Sequence, residues 1–189
     1  SSGIGLACAK ELFKQGARLA LASRNIEVTE QLALEFNSDT KRAIAVKTDV
    51  TIKADCKRLI ESTIIAFGRI DVLINNAGIS MRASFAEVDT DVLKRLMDVN
   101  FWGTVYCAKY AFPYRLKSKG SLVCISSVAG IHGLPGRTGY SVSKFAMHGL
   151  LDTIRVENLK NGLHVLIAIP TFTASNVRFS ALMAYVSTQ

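Results

Sequence analysis

Strand-sized apolar runs rich in β-branched residues alternate with longer stretches of helical periodicity along this chain, and no other feature restricts its possible folds as much. The runs cover 18–22, 43–47, 70–75, 121–126 and 163–169, and the helical patterns cover about 4–15, 27–36, 52–67, 91–118 and 139–161. Strands alternating with helices require right-handed crossovers, which place the strands side by side in a parallel sheet. The runs are nearly continuous in apolar residues, as strands covered on both faces should be. The pattern predicts an α/β fold: a doubly wound parallel sheet between two helical layers, a three-layer αβα domain spanning residues 1–189.

Composition agrees with that reading. With 49% apolar and 20% charged residues, the chain has the balance of a globular domain. No apolar run nears the roughly 20 residues needed to cross a bilayer. Cys8, Cys56, Cys107 and Cys124 lack the paired spacing of zinc or redox sites. They read as buried small hydrophobes in a reducing, cytoplasmic setting, although a membrane anchor upstream of Ser1 stays open. His132, His148 and His164 show no metal-ligand spacing, and His148 reads as a core or interface residue. The net charge of +8 raises nucleic-acid binding as a possibility. The basic residues are scattered among acids, however, and several sit where helices end, so a solvated surface is the better explanation.

The chain opens with "SSGIGLACAKELFKQGA", a glycine turn running straight into a helix. Such a turn lets the backbone approach a pyrophosphate, and the helix N-terminus offers free N–H groups and partial positive charge. Ser2, Gly3, Ile4 and Gly5 are therefore candidate cofactor contacts. In a dinucleotide-binding Rossmann fold a strand precedes this turn at the centre of the sheet. The C-terminal "ALMAYVSTQ" likewise lacks a closing strand. The expectation is a fragment lacking the first strand and the C-terminal part of the fold.

The next strand ends in "LASRN". An acid near this point would bind the adenosine ribose and repel a 2′-phosphate. Ser23 and Arg24 instead supply a hydroxyl and a fork of donors suited to phosphate, which favours NADP(H) over NAD(H). "TDV" (Thr48 to Val50) and "NNAG" (Asn75 to Gly78) close the next two strands, at the carboxyl ends where ligands bind in open α/β sheets. In "GYSVSKF", Tyr140 and Lys144 lie four residues apart, so on a helix they share a face. A free tyrosine has a pKa of about 10. A neighbouring ammonium lowers it toward the range where acid–base catalysis works.

"SSGIG", "NNAG", "DVN" at Asp98 to Asn100, "ISS" at Ile125 to Ser127 and "YSVSK" follow one another as they do in the short-chain dehydrogenase/reductase family, which the chain resembles over almost its whole length. "NNAGISMR" and "FWGTVYCAKYA" look most like the branch of 11β-hydroxysteroid dehydrogenase. The resemblance implies that Tyr140 is a general acid/base with Lys144 as its partner. It implies that Ser127 holds the substrate carbonyl and that the Asn100 amide steadies a relay water. It places Asp49 and Val50 around the adenine, and Asn76, Ala77 and Gly78 on the cofactor wall. It further implies that Lys144 reaches the nicotinamide ribose. Beyond the last strand, Pro170 and Thr173 fall on the cofactor side, with Thr171 where the family has glycine and Ser175 where it has threonine. Homodimers or homotetramers through the two long helices are further implied.

The function expected is NADP-dependent interconversion of a carbonyl compound and an alcohol, the small-molecule substrate lying against Met81, Phe85, Ile131 and Leu134. The alternative is a catalytically silent NADP(H)-binding sensor or scaffold. No metal and no nucleic acid are expected.

Overall fold

A computed structural model describes residues 2–37, 41–171, 173 and 181–185. It contains strands β1 (Leu19–Ser23), β2 (Ala43–Lys47), β3 (Val72–Asn75), β4 (Ser121–Ile125) and β5 (His164–Ala168). The helices are α1 (Gly3–Lys14), α2 (Ile26–Phe36), α3 (Lys53–Phe67), α4 (Thr90–Leu96), α5 (Gly103–Ser118) and α6 (Thr138–Glu157).

Every strand pair is parallel: β1 with β2, and β4 between β3 and β5. Among the described residues no strand joins these two pieces. An open cleft lies between them, walled by Ala20 and Leu21 of β1 and by Leu73 and Ile74 of β3.

Alternation along the strands explains why both parities are apolar. Leu19, Leu21, Ala43 and Ala45 meet Ala9 of α1 and Leu32, Ala33 and Phe36 of α2. Ala20, Ile44 and Val46 turn to the other face, against Cys56 and Leu59 of α3 and Cys107 of α5. On that face Leu122, Cys124, Val165 and Ile167 continue the layer against Ala108 of α5 and Met147 and Leu151 of α6. Leu166, of opposite parity on β5, is 55% exposed, so the described residues cover only one side of that strand. This is a doubly wound α/β sheet, as the pattern predicted.

Local chemistry sets the helix ends. The Asn25 side chain accepts the Val28 N–H and caps α2, and Gly68, at φ 74°, ends α3 in a left-handed turn. The single helix expected over 91–118 is instead α4, a π-helical stretch Met97–Trp102, and α5. Cys56, Cys107 and Cys124 are buried free thiols. Among the described residues there is no metal-binding cluster and no helix long and apolar enough to cross a membrane.

Candidate active site

The glycine turn and the asparagine turn meet at the top of the cleft. Ser2 is extended and Gly3 has φ 58°, a conformation L side chains rarely adopt. A Cβ on Gly5 would stand 2.5 Å from the Asn76 amide nitrogen, so glycine lets that side chain lie against the turn without shifting. Asn75 is buried, and its amide reaches the Cys124 thiol at 3.5 Å, tying β3 to β4.

Beyond β1, the Ser23 hydroxyl donates to the Asn25 carbonyl at 2.7 Å. Arg24 is exposed on the cleft rim and forms no ion pair among the described residues. After β2, the Asp49 carboxylate accepts the Thr51 N–H and hydroxyl, which shapes the turn that presents Val50. A Cβ on Gly103 would come within 2.8 Å of the Val50 side chain, so α5 passes directly beneath that turn.

Ser127 follows β4, and its Oγ accepts the Ala129 N–H at 3.2 Å, capping a short 3-10 turn. The same hydroxyl lies near enough to the Tyr140 phenol to draw its pKa down. Tyr140 is half-buried in the first turn of α6 and packs against Met81, Val92 and Leu96. Lys144 lies one turn on, with Nζ 5.7 Å from the centre of the Tyr140 ring, and donates to the Ile125 carbonyl at 2.9 Å.

The electrostatics differ from the sequence expectation. Burial pushes the phenol of Tyr140 up, while the Ser127 hydroxyl and the Arg137 charge pull it back down. The Lys144 ammonium is driven down to about 8 by burial, against a weak opposing effect from Cys124. Both groups are desolvated, and desolvation disfavours each charged form.

Asn100 stands apart from the other candidates. It is fully buried in the π-helical stretch, where its Oδ1 accepts the Ile79 N–H at 2.8 Å. Its amide nitrogen donates to the Ile79 carbonyl and to the Ser143 hydroxyl. Both amide protons are thus committed to joining the loop after β3 to α6. Ser143 in turn donates to the Tyr140 carbonyl, a link nothing in the spacing of "YSVSK" announces.

Ser2, Gly3, Ile4, Gly5, Ser23, Arg24, Asp49, Val50, Asn76, Ala77, Gly78, Ser127, Tyr140, Lys144, Pro170 and Thr173 all line the one cleft, and Asn100 alone does not reach it. Thr171 also lines it, and its carbonyl accepts the Thr173 hydroxyl. Ser175 lies outside the described residues. The expected apolar substrate wall is realised only in part. Met81 packs on Tyr140, whereas Phe85 and Ile131 are exposed, and Leu134 lines a separate shallow pocket with Val142 and Phe145. His148 is a core partner, with Nε2 2.7 Å from the Ser126 hydroxyl. Arg137, absent from the sequence expectations, reaches Ser80 and Met81; its position three residues before Tyr140 was the available signal.

The family model for short chain dehydrogenases matches residues 1–182. The 11-beta-hydroxysteroid dehydrogenase A of Arachis hypogaea is 40% identical over 184 residues, covering 94% of this chain and 51% of that protein. The chain thus spans about half the length of that curated relative. The solved structure of ElxO with NADP bound is 30% identical, with a TM-score of 0.86 over 94% of this chain and 73% of that one. A short chain dehydrogenase/reductase from Burkholderia phymatum, in complex with NAD, shares the fold at a TM-score of 0.89 and 24% identity, covering 95% of this chain and 65% of that one. Motif geometry and likeness agree that this chain belongs to the short-chain dehydrogenase/reductase family.

Proposed function

We propose that the protein containing this chain is an NADP-dependent oxidoreductase that interconverts a ketone or aldehyde and an alcohol. The observation that carries the reading is the Ser127 hydroxyl beside the Tyr140 phenol, with Lys144 on the same helix face, in a cleft that also holds the glycine turn.

The cleft suits a dinucleotide. Gly3 and Gly5 leave the backbone bare where a pyrophosphate would lie, at the N-terminus of α1. Arg24 and Ser23 offer donors to a 2′-phosphate, and no carboxylate pairs with that arginine among the described residues. Asp49, Val50, Asn76, Ala77 and Gly78 would wall the adenine and nicotinamide halves, and Pro170 and Thr173 the far side. A bound nicotinamide supplies or accepts the hydride at the carbonyl carbon.

The chain's own groups handle the proton. Burial holds the Tyr140 phenol protonated at neutral pH, the state needed to donate to a carbonyl oxygen as it becomes an alcohol. Ser127 can hydrogen-bond that same oxygen as charge builds on it, an interaction strengthened where water is excluded. In the oxidative direction the phenol must first lose its proton, which Ser127 and the Arg137 charge both favour. One cofactor-binding domain, working as a homodimer or homotetramer on a small carbonyl or alcohol in the cytoplasm, completes the reading.

The test is NADPH consumption by the full-length protein across a ketone and aldehyde panel. Tyr140→Phe should cut kcat by about 100-fold or more, the usual weight of a positioned general acid. A variant with undiminished kcat removes the mechanism. Tight NADPH binding without turnover on any compound would instead favour the silent sensor.

A further inference from the structure

We propose that His148 is a positioning residue for the Ser127 hydroxyl, holding the end of β4 in place through Ser126. The part this gives His148 in turnover rests on the oxidoreductase reading above.

Three consecutive residues at the end of β4 meet three side chains spaced one turn apart along α6. The Ile125 carbonyl accepts from the Lys144 ammonium at 2.9 Å. The Ser126 hydroxyl is 2.7 Å from His148 Nε2. Ser127 lies beside the Tyr140 phenol and draws its pKa down. Tyr140, Lys144 and His148 recur every four residues, so they share one face of the helix. Ile125, Ser126, Ser127, Tyr140 and Lys144 all line the cleft. His148 stands behind them and ties into the same stretch.

Ser126 is 3% exposed, and a hydroxyl so buried needs a partner within the protein. The half-buried imidazole supplies it. Burial lowers the His148 pKa, Asp152 opposes that shift and the Lys144 charge adds to it. At neutral pH the ring is therefore neutral, and Nε2 can accept the hydroxyl proton. The pair also lies against the turn that Ser127 caps. A Cβ on Gly130 would come within 2.8 Å of His148 Nε2 and 2.9 Å of Ser126 Oγ. In that turn the Gly130 N–H donates to the Ser127 carbonyl at 2.9 Å, and the Ala129 N–H donates to the Ser127 hydroxyl at 3.2 Å. The imidazole thus bonds the residue before Ser127 and supports the turn after it. An apolar side chain of similar size would fill the space but leave the Ser126 hydroxyl unpaired.

The experiment compares full-length wild-type protein with His148→Leu, His148→Gln and Ser126→Ala, and repeats His148→Leu in a Ser127→Ala background. Amide hydrogen exchange is read at Ala129, whose N–H reports where the Ser127 hydroxyl is, with the amides of β5 as the measure of general loosening. NADPH-dependent reduction of the carbonyl panel is assayed in parallel. Losing the partner of a buried hydroxyl should speed Ala129 exchange about tenfold in His148→Leu and in Ser126→Ala, while the β5 amides change less than about twofold. His148→Gln carries a polar amide to the region of Nε2 and should recover most of the protection. In the Ser127→Ala background His148→Leu should add nothing, because the hydroxyl it places is gone. Turnover should follow exchange, with kcat falling about tenfold in His148→Leu and KM for NADPH unchanged. Unchanged Ala129 exchange overturns the proposal. So does exchange in His148→Gln as fast as in His148→Leu, or equal acceleration of the β5 amides, since either makes His148 a packing residue. An active protein whose kcat is indifferent to His148→Leu overturns it as well. The expected exchange pattern in a protein that reduces no compound upholds the positioning and sinks the oxidoreductase reading alone.

Discussion

Lys144 is 3% exposed, and its ammonium has the Ile125 carbonyl and the Met147 sulfur as partners. That is poor replacement for water around three donors, and burial lowers its pKa from 10.5 to about 8. Below pH 8 the lysine is charged in both folded and unfolded chains, and the folded state carries the full desolvation cost. Between pH 8 and 10.5 the unfolded chain binds the extra proton, so this group's contribution to stability rises with pH there and is flat above. Lys144→Met should therefore be more stable than wild type at pH 7, by roughly 1–3 kcal/mol in urea denaturation. The gap should narrow as pH climbs through that window. The buried thiols Cys107 and Cys124 have raised pKa values and pull wild-type stability the other way, which is why the difference between the two proteins is the quantity to measure. A destabilised Lys144→Met at neutral pH would show that the burial cost has been overstated. Arg24 allows a cleaner experiment, since it is exposed and lacks an acid partner among the described residues. Arg24→Ala should weaken NADPH binding about tenfold or more by calorimetry and leave NADH nearly unchanged. Equal losses would remove the phosphate clamp.

Between single residues and the sheet stand the elements, and the π-helical stretch Met97–Trp102 is the one that sequence reading could not supply. Apolar periodicity marked a helix over 91–118, and helical backbone does run through it. Periodicity carries no sign of an extra residue in a turn, because the widening is stabilised by tertiary bonds from Asn100 to Ile79 and Ser143. The resemblance pointed to Asn100 as a site residue, yet only the fold shows both of its amide protons taken. Tyr140 and Lys144 were legible because helix geometry alone places them on one face. Their electrostatics were not, since burial is a property of the packed chain and here raises the phenol pKa and lowers that of the ammonium. Asn100→Ala would leave the Ile79 N–H and carbonyl without their buried partner. A loss of roughly 2–4 kcal/mol is expected, read as a lower urea midpoint. An unchanged midpoint would mean that another group or water replaces the amide without cost.

Across the whole molecule, the layered architecture was readable from alternation alone, because each strand meets helices with both parities over β1 and β2. The surface was less readable, since an exposed apolar residue and a buried one have the same letter. Val142 and Phe145 illustrate this: they belong to the strongest motif of the chain, yet they are 53% and 46% exposed, beside a shallow pocket formed with Leu134 and Pro135. At the end of the π-helical stretch, Trp102 is also 43% exposed and stacks on Tyr106 of α5. Apolar side chains on the two long helices are what an oligomer through those helices would cover. A charge introduced at the centre of such a contact would be desolvated without a partner, a cost of several kcal/mol across a symmetric pair. Phe145→Glu in the full-length protein should therefore shift its mass in light scattering from dimer or tetramer toward a smaller species. Because residue 145 is exposed in the single chain, the fold itself should change little in thermal stability once dissociated. Wild-type and Phe145→Glu proteins of the same oligomeric mass would remove α6 from the interface and leave this apolar patch without a role in assembly.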